Sequence, residues 1–200
     1  MNGIRVQRKN HDAMQQRILL AAAALVETHG FDKLTIRNLA KVLKISVGTI
    51  YNYFADINEL TLHINSETIG WLDTALTTSI TPKTKNVPKR LVDTYFDFLE
   101  EHPERWRALF MHYPPKGFVL PHWYMAIVDQ AVRNVRSLLS PYLIGHSKSE
   151  SRDIIVGLWA SLHGLSMLDQ QGKLNTVSAE RTVRDIAHVT VRKALKEGIA

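Results

Sequence analysis

The 200 residues contain no cysteine, which removes disulfides, zinc fingers and cysteine nucleophiles together. No apolar run reaches membrane-spanning length and the start carries no signal-peptide pattern, so the chain reads as soluble and cytoplasmic, with no membrane partner. Glycine and proline are sparse, at 10 and 7, and no low-complexity tract or internal repeat occurs. With 45% hydrophobic and 22% charged residues the composition is ordinarily globular, which excludes wholesale disorder and suits one domain or a small module joined to a larger one. Enzyme signatures are missing as well. There is no GxSxG, no Gly-rich phosphate loop and no HExxH, and Ser161 and His163 point in different directions on a helix. His102, His112, His122 and His163 are widely spaced and lack an i,i+4 pair. The expectation is no catalytic residue, no metal site, no cofactor and no enzyme.

What is present is an uneven charge. Lys and Arg number 25 against 19 Asp and Glu, a net of +6, and most of it lies at one end. Residues 1–55 hold eight basic side chains (Arg5, Arg8, Lys9, Arg17, Lys33, Arg37, Lys41 and Lys44) and three acids, a net of +5. The remaining 145 residues are close to neutral. A basic module on a neutral body is the asymmetry expected when one end meets a polyanion.

Apolar residues recur at three and four, and period-two β-branched runs are absent, so the spacing predicts helix nearly throughout. Ile18, Ala22, Leu25 and Val26 form the stripe of a first helix over about 12–29, stopped by Gly30. Ile36, Leu39, Ala40 and Leu43 stripe a second, with Thr35 placed to cap it; Ser46 caps a third carrying Ile50, Tyr51, Tyr53 and Phe54. A longer fourth helix runs from Asp56 toward Ile80, and 81–88 reads as a connection. Further helices are expected at about 89–102, 104–113, 121–140, 149–171 and 178–198. The total is about nine, an all-α architecture.

Two short amphipathic helices a few residues apart, spanning 35–54, have the helix-turn-helix pattern, whose second helix can lie in a major groove. A helical hairpin with a polar outer face would share that pattern. Gly48 in the first turn lets a phosphate approach free N–H groups, while Thr49, Tyr51, Asn52 and Tyr53 supply polar contacts beside Arg37, Lys41 and Lys44. Gly3 to Asn10, with Arg5, Arg8 and Lys9, reads as a flexible arm, reaching DNA or merely solubilising the chain.

Over about 12–64 the sequence resembles the TetR family of bacterial transcriptional regulators. The resemblance rests on Gly30-Phe31, on Thr35 followed by Leu39-Ala40, on Ser46-x-Gly48-Thr49-x-Tyr51-x-Tyr53-Phe54, and on Glu59-Leu60. It implies an N-terminal three-helix DNA-binding domain (1–55), a connecting helix (56–80) and a C-terminal helical domain for effector binding and dimerisation (81–200). It further implies that Thr35 is a phosphate-contacting cap, that Ser46, Val47, Gly48 and Thr49 enter the groove, and that Tyr51, Asn52 and Tyr53 make the remaining DNA contacts. Arg37 and Lys44 join them by charge. Two residues depart from the family pattern: Lys44 where glycine is common, and Ile57 where a lysine is usual. A left-handed conformation at Lys44 would cost about 1 kcal/mol or more.

Beyond residue 100 the aromatics concentrate. Trp106, Phe110, Met111, Trp123, Tyr124 and Ile127 suit either a mostly apolar pocket or an ordinary core. Trp159-x-x-x-His163-Gly164 and the Pro103 to Phe110 segment resemble one TetR subgroup; Trp159 and His163 share a helix face, with His163 either serving a pocket or satisfied in the core. Leu158, Ser161, Leu162 and Leu165, with Val183, Ile186 and Ala187, suit a four-helix homodimer interface, unless they fill their own core. The expected function is a repressor that binds a palindromic double-stranded operator as a homodimer and is released by a small, largely hydrophobic effector. The alternative is a DNA-binding protein whose C-terminal domain binds a protein partner and has no small-molecule response.

Overall fold

A computed structural model describes residues 2–174 and 180–196. Among them nine α-helices occur and no strand: α1 (Asn2–His29), α2 (Ile36–Leu43), α3 (Val47–Tyr51), α4 (Ile57–Ser79), α5 (Val87–Glu101), α6 (Pro103–Met111), α7 (His122–Leu138), α8 (Lys148–Gln170) and α9 (Val183–Lys196). Short 3₁₀ turns sit at Phe31–Lys33 and Ser140–Tyr142. The all-α expectation holds, with one correction. Residues 3–10 continue α1 as helix and are not a flexible arm, because nothing in the segment breaks a helix whose apolar stripe begins further on. The expected helix over 178–198 begins at Val183, and 178–179 and 197–198 lie outside the described residues.

The chain forms two compact units. The first comprises residues 1–68 and 102–125, so that α6 belongs with the N-terminal helices. Its core is the expected stripes of α1 and α2 together with Ile50, Phe54, Leu60, Ile64 and Ala108 of α6. Ile57, half-buried, packs against this cluster. Gly30 ends α1 with φ 88°, where any other residue would be strained, and its amide donates to the Val26 carbonyl at 2.9 Å. A side chain there would also meet the Glu104 carboxylate at 3.1 Å.

An ion-pair cluster ties α6 into this unit. The guanidinium of Arg105, only 2% exposed, donates to Glu27 of α1 at 2.8 Å and to Glu67 of α4 at 2.7 Å. Its Nη1 also reaches the Ile64 carbonyl at 3.4 Å. Glu104 accepts from the Phe31 amide at 3.2 Å, and Arg107 pairs with Asp32 at 3.4 Å. Arg is suited to this place because its fixed fork of donors satisfies two carboxylates and a carbonyl at once.

The second unit comprises residues 69–101 and 126–200, in which α9 packs on α5 and α8. Leu91, Val92, Tyr95, Phe96 and Phe98 of α5 are buried with Ile155, Leu158 and Leu162 of α8 and Ala187 and Val191 of α9. Arg184 of α9 pairs with Asp97 at 2.6 Å and Glu100 at 2.8 Å, and His188 meets Asp93 at 3.0 Å. Asn134 of α7 donates to Asp73 at 2.7 Å. A reciprocal cap opens α8: Ser147 Oγ accepts from the Glu150 amide, and the Glu150 carboxylate accepts from the Ser147 amide. Among the described residues no helix is long and apolar enough to cross a membrane.

Candidate nucleic-acid interface and effector site

The helix-turn-helix is built from two satisfied caps and one strained residue. Thr35 Oγ1 accepts from the Asn38 amide at 3.1 Å, and Ser46 Oγ accepts from the Thr49 amide at 3.0 Å. Both caps fall where the sequence places them. Lys44 ends α2 in the left-handed region, at φ 55° and ψ 44°, and its amide bonds back to the carbonyls of Ala40 and Lys41. It is the one non-glycine residue with positive φ among those described. The geometry that glycine would supply is therefore kept, at an energetic cost, by a lysine. Arg17 Nη2 donates to the Leu43 carbonyl at 3.2 Å, fastening α1 to the same turn.

This arrangement buries Ile36, Leu39, Ala40, Leu43 and Ile50. Thr35, Arg37, Lys44, Ser46, Val47, Gly48, Tyr51 and Asn52 are exposed, Tyr51 by 51%. Thr49 and Tyr53 are half-buried; the Thr49 hydroxyl bonds to Ser46 at 2.8 Å and the Tyr53 ring lies 4.6 Å from His11. Of the ten expected DNA-binding residues eight are thus exposed and two half-buried, and Lys41 is exposed as well. Gly48 is exposed, and a methyl added there would meet nothing closer than Ser46 Oγ at 3.7 Å. Its lack of a side chain serves no packing need inside the chain. It leaves the first turn of α3 open to an outside partner.

Asp56 opens α4 by accepting from the Glu59 amide at 2.8 Å, while Glu59 accepts from the Ala55 amide at 2.6 Å. Burial works against the Asp56 carboxylate, but the bonds from Glu59 and Asn58 outweigh it and hold its pKa below the ordinary value. Asn58 in turn meets His112 Nε2 at 3.0 Å, and burial lowers the pKa of His112 despite the nearby Asp56 charge.

The eight expected effector residues divide between the units. In the first, Trp106 is a core residue, 1% exposed, packed on Phe110 at 4.2 Å between ring centres. Met111 is exposed, Trp123 stacks on His63 at 4.4 Å, and Tyr124 is buried, which raises its pKa. In the second, Ile127 is half-buried, and Trp159, 49% exposed, stacks on His163 at 5.8 Å. Burial lowers the pKa of His163 to about 4. A cavity of about 390 Å³ in the first unit is lined by Leu62 and Asn65 of α4, Leu109 of α6, and His112, Phe118 and Tyr124. Of the eight expected residues, Tyr124 lines it. Asn65 escaped the sequence reading, although Thr61, Asn65 and Thr68 form a buried polar row at i, i+4, i+7 that an apolar face does not ordinarily carry.

The residues expected at a dimer interface also divide. Leu158, Leu162 and Ala187 are buried in the core of their own unit, while Ser161, Leu165, Val183 and Ile186 are half-buried. The outer face of α8 carries Val156, Gly157, Trp159, Ala160, Gly164 and Leu168, all exposed.

A doubly capped helix-turn-helix with exposed basic and polar side chains, at the head of a chain that is helical and without strands among the described residues, has the build of a DNA-binding transcriptional regulator. Residues 18–64 match the family model described as bacterial regulatory proteins, tetR family, and residues 89–193 match the tetracyclin repressor-like, C-terminal domain. The chain belongs to the TetR family. Among solved structures it is similar to the regulatory protein SCO4313, at TM-score 0.70 and 15% identity, covering 94% of this chain and 98% of that one. It is also similar to a tetR-family transcriptional regulator from Streptomyces coelicolor, at TM-score 0.60 and 17% identity over 92% of this chain and 79% of the other. The multidrug binding protein EbrR, solved with imidazole, matches at TM-score 0.53 and 17% identity over 90% and 93%. At these identities the likeness is one of fold. No curated protein matches the sequence.

Proposed function

We propose that this chain is a cytoplasmic repressor that binds a palindromic operator as a homodimer, with α3 in the major groove, and leaves DNA when a small, largely hydrophobic effector binds. Residues 1–55 act as the DNA-binding module, 56–80 as the connecting helix and 81–200 as the effector-binding and dimerisation domain. Membership of the subgroup marked by Trp159, His163 and Gly164 belongs to the same reading.

The observation that carries it is the helix-turn-helix of α2 and α3, whose helix starts are capped internally by Thr35 and Ser46 while Arg37, Lys41, Lys44, Tyr51 and Asn52 are exposed. Exposed Arg37, Lys41 and Lys44 supply phosphate contacts, and Tyr51, Asn52 and the open turn at Gly48 supply the groove contacts. The exposed apolar stripe of α8 supports pairing: its small residues let a second helix approach closely, and a patch of that kind ordinarily marks an interface. Two recognition helices about 34–36 Å apart would then read successive grooves.

The test is a mobility-shift titration with the intergenic DNA upstream of the chain's own gene, followed by a thermal-shift screen of lipophilic compounds against the protein. Specific binding, with release by a compound that also raises the melting temperature, supports the reading. Binding without any small-molecule release, together with capture of a protein through α8, favours the partner-docking alternative.

A further inference from the structure

We infer that the second unit holds an anion site between the start of α5 and the end of α9, which takes a small organic phosphate monoester as its dianion. The inference goes beyond the repressor reading and does not depend on it.

Two helices packed side by side in opposite directions set the site up. Asp97 and Glu100 of α5 meet Arg184 of α9, and one turn on, Asp93 meets His188. A further turn, four residues back along α5 and four forward along α9, brings Lys89 to the level of Arg192. The ladder thus changes from opposite charges to like charges. Lys85, just before α5, adds a third cation at the same end. Like charges gathered in this way repel one another and attract an anion.

Lys85, Lys89 and Arg192 line one cavity of about 560 Å³. Its other polar walls also offer donors. Asn86 Oδ1 accepts from the Lys89 amide at 3.0 Å, which leaves the side-chain N–H groups of Asn86 to donate, and Tyr142 brings a phenol hydroxyl. Among the described residues no carboxylate lines the cavity. Asp93, the acid one turn away, has one oxygen on Lys89 at 2.6 Å and the other on His188 at 3.0 Å, so both are engaged away from Lys85 and Arg192.

Charge and shape give the class of ligand. Lys85, Lys89 and Arg192 set against Asp93 leave an excess of two positive charges, which a dianion balances. A phosphate monoester presents three terminal oxygens to donors that come from both helices, and the guanidinium of Arg192 can take two of them. Pro88, Leu195 and the Tyr142 ring form the apolar part of the wall, against which the organic body of the ester rests. A phosphate held there supplies the negative charge that the ladder lacks at this end, and so stabilises the packing of α5 on α9.

Isothermal titration of the full-length protein with phenyl phosphate, at about pH 7.5 where the monoester is a dianion, tests this. Benzoate carries the same ring with one charge, and inorganic phosphate carries the charge without the ring. Expected are one phenyl phosphate per chain and about tenfold weaker binding of each of the other two. Lys85→Gln and Arg192→Gln change exposed side chains and should each weaken phenyl phosphate about tenfold, with the melting temperature of the free protein not lowered. Lys116→Gln, the same loss of charge at an exposed position in the first unit, should leave the affinity unaltered. Phenyl phosphate should also raise the melting temperature of the wild type and not that of the Lys85→Gln, Arg192→Gln double variant. No binding of phenyl phosphate, equal affinity for benzoate or inorganic phosphate, or binding undiminished in Lys85→Gln and Arg192→Gln would each overturn the site. Weakening by Lys116→Gln as large as by Arg192→Gln would overturn it too, by reducing the effect to net charge.

Discussion

Replacing Arg105 by alanine should destabilise the protein by about 2–3 kcal/mol. The side chain is 2% exposed and holds two carboxylates and a carbonyl, so its removal strips partners from three groups at once. Breaking a fully buried pair costs about 3–5 kcal/mol. Here Glu27 and Glu67 are each 45% exposed and can rehydrate, which lowers the figure, while the loss of the packed aliphatic stem adds to it. Urea unfolding followed by tryptophan fluorescence is the assay, since Trp106 is the next residue and is buried. With m of about 2–3 kcal/mol/M the midpoint should fall by about 1 M. A double-mutant cycle isolates the ion pair: Glu67→Gln should cost about 1–2 kcal/mol in the wild type and under about 0.5 kcal/mol in an Arg105→Met background. An Arg105→Ala cost below about 1 kcal/mol, or the same Glu67→Gln cost in both backgrounds, would refute the claim that Arg105 fastens α6 to α1 and α4.

Three further outcomes are expected. Lys44→Gly should raise stability by about 0.5–1 kcal/mol, the left-handed strain relieved minus the greater freedom of glycine in the unfolded chain, and should weaken DNA binding by removing a charge; a loss of stability on denaturation would contradict the strain argument. His163 is neutral when folded down to about pH 4, whereas unfolded histidine takes a proton near pH 6.5, so its contribution to stability is present above pH 6.5 and is lost as pH falls from there toward 4. Its NMR titration midpoint should lie near 4, and a midpoint at 6 or above would show that the ring is not desolvated. Gly164→Arg should convert a dimer to a monomer in sedimentation, with the helix intact because a side chain there meets nothing within 4 Å; an unchanged mass would remove the α8 stripe as the interface.

Local rules carried the reading furthest where neighbours in sequence decide the structure. The stripes of α1 and α2, the caps at Thr35 and Ser46 and the stop at Gly30 all follow from spacing and residue type, and they suffice to build the helix-turn-helix. The polar start of α1 misled because it lacks an apolar face; helix there is propagated from the residues that follow. On α8 apolar residues surround much of the helix, so the pattern could not say which ones face the unit's own core; Leu158 and Leu162 do, while Trp159 and Ala160 do not. Arg105 meets Glu27 across 78 residues and Glu67 across 38, and no periodicity reports a pair formed at such a distance. The same holds for the cavity, whose walls come from α4, α6 and the segment after it.

The central claim is that the outer face of α2 and α3 binds DNA, and fluorescence anisotropy with the upstream intergenic duplex between 50 and 200 mM salt tests it most directly. Three exposed cations per chain, and six in a dimer, predict a log–log salt slope of about −5. Gly48→Ala and Tyr51→Ala change exposed positions and should leave the melting temperature within a few degrees of wild type, while weakening binding about tenfold or more. Unaltered affinity in both variants, or binding that ignores salt, would contradict the account.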